Sequence, residues 1–181
     1  VEPIAMQWQK FKDLDFLFTS NDSSDQCIIL FHGYGADAQD LAELHRFIPM
    51  EQPVDWFFPQ GVISVPVGPM MSGRAWFDFR VSDFEKISNN ESIGQEIEPG
   101  VLKTLNQGSE WVNQLGKVYK RVWVGGFSQG AILTSHLFYR LNFSPQGLLL
   151  FSGYEVSPSA FPTLAEEQKI PFFQSHGQGD P

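Results

Sequence analysis

Five short apolar runs, each shut off by a turn, limit more than any other feature how this chain can fold. Cys27 to Phe31 is continuously apolar and is closed by His32-Gly33-Tyr34-Gly35. The pattern returns at Val54 to Phe58, closed by Pro59-Gln60-Gly61, and at Val122 to Val124, closed by Gly125-Gly126. It returns again at Leu148 to Phe151 before Ser152-Gly153, and at Phe172 to Ser175 before His176-Gly177. Runs that are apolar at successive positions, not at every second one, suit strands buried on both faces, which belong inside a parallel sheet covered by helices.

The segments between these runs read as helices. Asp37 to Phe47 carries Leu41, Leu44 and Phe47 at helical spacing behind Asp37 as a cap. Ile97 to Leu115 places Val101, Leu102, Leu105, Val112 and Leu115 on one side, although Gly108 interrupts it, and Gln129 to Leu141 carries Ile132, Leu133, His136, Leu137 and Tyr139. Strand and helix alternate, so the expected architecture is one α/β domain over residues 1–181, with a mostly parallel central sheet and helices on both faces. Gln7 to Ser20 adds an outer strand or hairpin. Gly61 to Asn90 is a long irregular stretch rich in Gly, Pro, Met and Phe, and loops of that length usually carry function.

Composition removes several classes of function. With 42% hydrophobic residues, including 17 Phe and 5 Trp, the 181 residues can build one substantial core, which argues against disorder. The net charge of -9, with no Lys/Arg cluster, argues against nucleic acid or an anionic membrane as partner and favours a neutral or cationic small-molecule substrate. No stretch approaches the roughly 18 continuous apolar residues of a spanning helix, and Val1 to Lys10 has no basic region followed by an apolar core. A soluble, cytoplasmic protein without stable membrane insertion is therefore expected. The single cysteine, Cys27, reads as a small buried hydrophobe in a reducing compartment. The absence of Met at position 1, and an end at Pro181 directly after an apolar run, suggest processing boundaries.

The residues that promise chemistry cluster at the turns. Val124-Gly125-Gly126-Phe127-Ser128-Gln129-Gly130-Ala131 is a G-x-S-x-G pattern between an expected strand and an expected helix. In such an elbow the serine adopts a strained backbone, and the flanking glycines remove side chains that would collide. The helix starting near Gln129 then aims free N–H groups at the place where a tetrahedral oxyanion would form. The alternative is a Gly-rich turn with Ser128 as an ordinary helix cap. His32-Gly33-Tyr34-Gly35 closes the first buried strand, where a loop can bring a second oxyanion N–H to a serine at such an elbow, supplied here by the Tyr34 amide. His32 itself reads as a turn residue hydrogen-bonded to backbone. Asp180, in His176-Gly177-Gln178-Gly179-Asp180-Pro181, is the candidate acid that orients the imidazole, its alternative being an Asp-Pro turn residue. His32, His45 and His136 lie in elements unsuited to a general base, and His176 lies on the acid turn, so the catalytic histidine is missing from this chain.

Leu30-Phe31-His32-Gly33-Tyr34-Gly35, Ser72-Gly73-Arg74-Ala75-Trp76-Phe77-Asp78, Gly126-Phe127-Ser128-Gln129-Gly130 and the His176 to Pro181 turn together resemble the phospholipase/carboxylesterase family, which includes acyl-protein thioesterases. The likeness implies an α/β-hydrolase fold and a cofactor-free serine esterase acting on short or medium acyl esters, acyl thioesters or lysophospholipids. It puts the Tyr34 and Gln129 amides at the oxyanion positions. Trp76, Phe77 and Asp78 fall on the family's W-F-D segment beside the pocket, where aromatic walls shelter an acyl chain, with core packing as the alternative for Trp76 and Phe77. Relatives continue through a further strand and a histidine loop, so the resemblance implies a C-terminally truncated domain. Loss of the base in a comparable triad costs about 10⁶-fold in turnover. A shortened sheet leaves the strand around Phe172 and Phe173 as an edge open to self-pairing, hence a possible homodimer. The competing readings are a catalytically silent binding or scaffold protein on the same fold, and a dienelactone-hydrolase-like enzyme, for which Cys27 sits in the wrong element.

Overall fold

The structure, a computed structural model, describes residues 6–20, 24–78, 99–153 and 169–178. Its strands are β1 (Met6–Phe11), β2 (Leu14–Thr19), β3 (Gln26–Phe31), β4 (Asp55–Pro59), β5 (Ile63–Pro66), β6 (Ser72–Ala75), β7 (Arg121–Phe127), β8 (Gly147–Phe151) and β9 (Phe172–Ser175). The helices are α1 (Ala38–Ala42), which continues into a 3₁₀ turn at Glu43–Arg46, α2 (Pro99–Val118) and α3 (Gln129–Phe138). Seven strands form one sheet in the order β1-β2-β4-β3-β7-β8-β9. β4, β3, β7, β8 and β9 run parallel, while β1 and β2 are an antiparallel hairpin added at the β4 side.

All five apolar runs are strands of this sheet, and alternation along them divides the core in two. Cys27, Ile29 and Phe31 of β3, Phe57 of β4 and Val122 and Val124 of β7 face one side, where Leu105, Trp111 and Val112 of α2 and Leu133 and Leu137 of α3 cover them. Ile28 and Leu30, Trp56 and Phe58 face the other side against Ala38 and Ala42 of α1. Both faces of the inner strands are thus removed from water, which is why their sequence lacks the polar alternation of a half-solvated sheet. This is the α/β arrangement expected of the chain, a mostly parallel sheet with helices on both faces.

Three expectations about helices need correction. The stretch from Asp37 to Phe47 is not one amphipathic helix: only Ala38–Ala42 is α-helical, Asp37 caps it through bonds from the Gln39 and Asp40 amides, and Leu44 and Phe47 are exposed. The face turned to the sheet is built from Ala38 and Ala42 with Leu41 half-buried beside them, and tighter 3₁₀ winding rotates Leu44 and Phe47 away. Leu102 of α2 is likewise exposed, whereas Trp111, which the spacing did not single out, is buried in the core. The third helix stops at Phe138, short of Leu141. Gly108 costs α2 helix propensity but lets α3 approach, since a Cβ there would lie 3.2 Å from Leu137. Among the described residues no helix is long and apolar enough to cross a membrane.

Candidate active site

Ser128 is the single residue between β7 and α3, with φ 51° and ψ -115°, a conformation that costs a non-glycine residue about 1–3 kcal/mol. Neighbouring backbone enforces it. The Ser128 N–H donates to the Phe151 carbonyl at the end of β8 (2.8 Å), and the Ser128 carbonyl accepts from the Ala131 (2.9 Å) and Ile132 (3.1 Å) amides. The bend is possible only with bare backbone on either side: a Cβ on Gly126 would lie 2.4 Å from the Gly130 carbonyl carbon, and one on Gly130 would lie 2.0 Å from the Phe31 carbonyl oxygen. The Ser128 side chain makes no cap hydrogen bond to α3, so it is not the ordinary helix cap of the alternative reading, and the residue is partly exposed. Gln129 occupies the first position of α3, whose opening N–H groups have no intrahelical acceptor.

The loop after β3 passes directly beside this elbow. A Cβ on Gly33 would meet the Ser128 Cβ at 3.4 Å and the Phe127 ring at 3.3 Å. The loop is held by β6, with the Gly35 N–H donating to the Arg74 carbonyl (2.9 Å) and the Arg74 N–H to the Ala36 carbonyl (2.8 Å). Gly35 sits at φ 79°, and Gly73 brings β6 so near that a Cβ would fall 1.9 Å from the Gly35 oxygen. Tyr34 is half-buried and packs on the larger core cluster. His32 is fully buried with both ring nitrogens engaged: Nδ1 lies 2.7 Å from the Gly33 carbonyl, and the Gly61 N–H donates to Nε2 (2.9 Å). That pairing fixes the Nδ1–H neutral tautomer, and burial holds the imidazole below its ordinary pKa by disfavouring the cation. His32 is therefore the backbone-bonded turn residue anticipated for it.

Sequence reasoning gave Gln129 only a backbone amide and missed its side chain. The buried carboxamide accepts from the Trp76 N–H (2.9 Å) and donates to the Phe77 carbonyl (2.9 Å). Two signals could have revealed this, since a glutamine inside a tightly packed elbow must pair its amide, and the irregular Trp76-Phe77 backbone needs partners that no strand supplies. Trp76, 1% exposed, has its indole against Phe31 (5.1 Å between ring centres) and His32 (5.0 Å) and donates from Nε1 to the His32 carbonyl (2.8 Å). Phe77 also lies in the core, while Asp78 is exposed. Packing, the second of the two roles weighed for Trp76 and Phe77, is where their contacts lie, and neither forms a solvent-facing wall.

Asp180 falls outside the described residues. The turn that leads to it starts at the end of β9, where the Ser152 N–H donates to the Ser175 carbonyl (2.8 Å) and Ser152 itself sits at φ 48°. His176 follows and is exposed; His45 bonds through Nδ1 to the Ala42 carbonyl on the α1 side of the sheet; His136 is half-buried on α3. Cys27 has no exposed surface, and burial together with the Asp55 carboxylate pushes its thiol far above the usual range, so it offers no thiolate nucleophile. Among the described residues no group of three or more His, Cys, Asp or Glu is placed to hold a metal ion.

The chain is 30% identical over 161 residues to acyl-protein thioesterase 1 of Eremothecium gossypii, a match covering 84% of this chain and 65% of that protein. It thus spans just under two thirds of the length of the curated relatives it matches first. In three dimensions it is similar to a carboxylesterase from Mesorhizobium loti (TM-score 0.63, 19% identity, 84% of this chain and 67% of that one). It is also similar to SOBER1 of Arabidopsis thaliana (TM-score 0.61, 23% identity, 85% of this chain and 74% of that one). At those identities the structures speak for the fold, an α/β hydrolase. A family model described as phospholipase/carboxylesterase matches residues 14–181, and with nearly the whole sequence inside that match the chain belongs to the phospholipase/carboxylesterase family.

Proposed function

We propose that Ser128 is the nucleophile of a serine esterase that hydrolyses carboxylic esters or thioesters of small acyl substrates, lysophospholipids among them, in the cytoplasm and without a cofactor. One observation carries the reading: a serine forced to φ 51° at a strand-to-helix bend, its hydroxyl not used as a cap and the Gly33 backbone against it. Such strain persists where the surrounding structure dictates it, and it clusters at functional sites.

In the proposed reaction Ser128 Oγ attacks the acyl carbonyl while its proton passes to a histidine, and the developing oxyanion is bound by the Tyr34 and Gln129 amides. Collapse expels the alcohol or thiol, which takes that proton, and leaves an acyl-enzyme. Water, deprotonated by the same imidazole, then releases the acid and restores Ser128. Asp180 orients the imidazole, and the histidine comes from sequence outside residues 1–181. His32 does not serve, since its Nε2 lone pair is already bonded to the Gly61 amide inside the core.

The test is labelling with a fluorophosphonate and turnover of p-nitrophenyl esters. Ser128→Ala is expected to abolish both in the full-length polypeptide, and residues 1–181 alone are expected to turn over about 10⁶-fold more slowly than it. A Ser128→Ala protein with the parental rate overturns the proposal, and failure of every length of the polypeptide to label points instead to a silent hydrolase-fold binder.

A further inference from the structure

We infer that Trp76 is a positioning residue that fixes the spacing between the two backbone segments of the oxyanion site, an inference that rests on the esterase reading of Ser128. Those segments are far apart in sequence, the loop bearing Tyr34 after β3 and the first turn of α3 bearing Gln129. Trp76 bonds to both. Its backbone N–H donates to Gln129 Oε1 (2.9 Å), and its indole Nε1–H donates to the His32 carbonyl (2.8 Å), one peptide before Gly33. A third bond, from Thr104 Oγ1 to the Trp76 carbonyl (2.9 Å), ties the same residue to α2. The Gln129 carboxamide completes the clamp by donating to the Phe77 carbonyl (2.9 Å).

Every group in this network is buried. Hydrogen bonds shielded from water are electrostatically strong, and breaking one strands a polar atom that has no solvent to turn to. A Cβ on Gly130 would lie 2.0 Å from the Phe31 carbonyl oxygen and 2.7 Å from that of His32, so the first turn of α3 also lies close against the start of the loop. The two amides can therefore neither close up nor drift apart. Negative charge reaches the carbonyl oxygen only as the tetrahedral species forms, so loosening this spacing raises the barrier and leaves ground-state binding of the neutral ester alone.

The experiment uses the full-length polypeptide with Trp76→Phe, which keeps an aromatic ring and the backbone donor but loses the indole N–H. Gln129→Met keeps the backbone amide and loses the clamp. Tyr119→Phe, which removes the half-buried hydrogen bond to Asp55 on the α1-distal end of the sheet, is a control for loss of a hydrogen bond away from Ser128. We measure kcat and KM on a p-nitrophenyl ester, and Ki for an alkylboronic acid whose adduct with serine is tetrahedral and anionic. Both site variants are expected to lose about 10- to 100-fold in kcat with KM nearly unchanged, and the boronate Ki is expected to rise by the same factor. Tyr119→Phe is expected to lower the melting temperature without changing kcat. A folded Trp76→Phe protein with parental kcat, or one whose kcat falls while the boronate Ki stays fixed, overturns the inference. Should Trp76→Phe not fold, Gln129→Met decides by the same criteria; should neither fold, Thr104→Val, which removes the third bond together with the Thr104 bond to the Gly100 carbonyl inside α2, decides. Ser128→Ala separates the two levels: if it retains activity the esterase reading fails, whereas its inactivity beside a fully active Trp76→Phe sinks the clamp alone.

Discussion

Ser128 holds a backbone conformation that only glycine adopts freely, and two consequences can be measured. Ser128→Gly and Ser128→Ala both remove the hydroxyl, yet only glycine releases the strain at φ 51°. The glycine variant is expected to be more stable than the alanine variant by about 1 kcal/mol in urea unfolding, reversing the usual order of the two residues. Equal or inverted stabilities would mean that the bend stores no strain. Gly130→Ala tests the other half of the elbow. Its Cβ would lie 2.0 Å from a carbonyl oxygen of β3, an obstacle of backbone with no flexible side chain to yield, so a loss of about 3 kcal/mol or more, or failure to fold, is expected. The G-x-S-x-G spacing was legible in the sequence because these are steric demands of single positions. The Gln129 carboxamide was not, because its partners at Trp76 and Phe77 are remote in the chain and irregular in structure.

Among the elements, β9 contrasts with the inner strands. It pairs with β8 on one side only among the described residues, and Phe172 and Phe173 are 65% and 55% exposed. An apolar edge of this kind invites pairing with a second copy. The 181-residue chain is therefore expected to self-associate with rising concentration, and Phe172→Lys to shift sedimentation towards the monomer with little change in unfolding free energy. Concentration-independent monomer in the parent chain would contradict this. The strands themselves were readable because burial on both faces leaves an unbroken apolar run, whereas the helix after β3 was misjudged. Of its apolar positions only Leu41 packs towards the sheet, contact otherwise running through Ala38 and Ala42, and small residues give a weak periodic signal.

At the scale of the whole molecule, two buried groups report on folding. The His32 imidazole titrates lower in the folded protein than in the unfolded chain, so the unfolded state binds the extra proton. Its contribution to stability is complete above the unfolded pKa of about 6.5 and is lost as pH falls below it. Urea unfolding is expected to show stability falling between pH 7 and pH 5.5, and a gain over that interval would refute the assignment. Cys27, the only cysteine, has no exposed surface and a thiol pushed up by burial. Its reaction with a disulfide reagent is expected to be negligible in native buffer and to follow the urea unfolding curve, while rapid native labelling would show that the β3 core opens locally.

The sequence by itself determined the inner strands, the sharp bend at Ser128 and the loop of His32 to Gly35, since each follows from local chemistry: unbroken apolar runs, and glycines where a Cβ has no room. Only the tertiary structure decided that the His32 ring is buried with both nitrogens bonded to backbone, that Trp76 packs inward, and that Gln129 and Trp76 tie α3 to the loop after β3. Those outcomes depend on which remote segments meet when two layers of helix close over one sheet, and pairing between distant backbone and side-chain groups leaves no periodic trace in the chain.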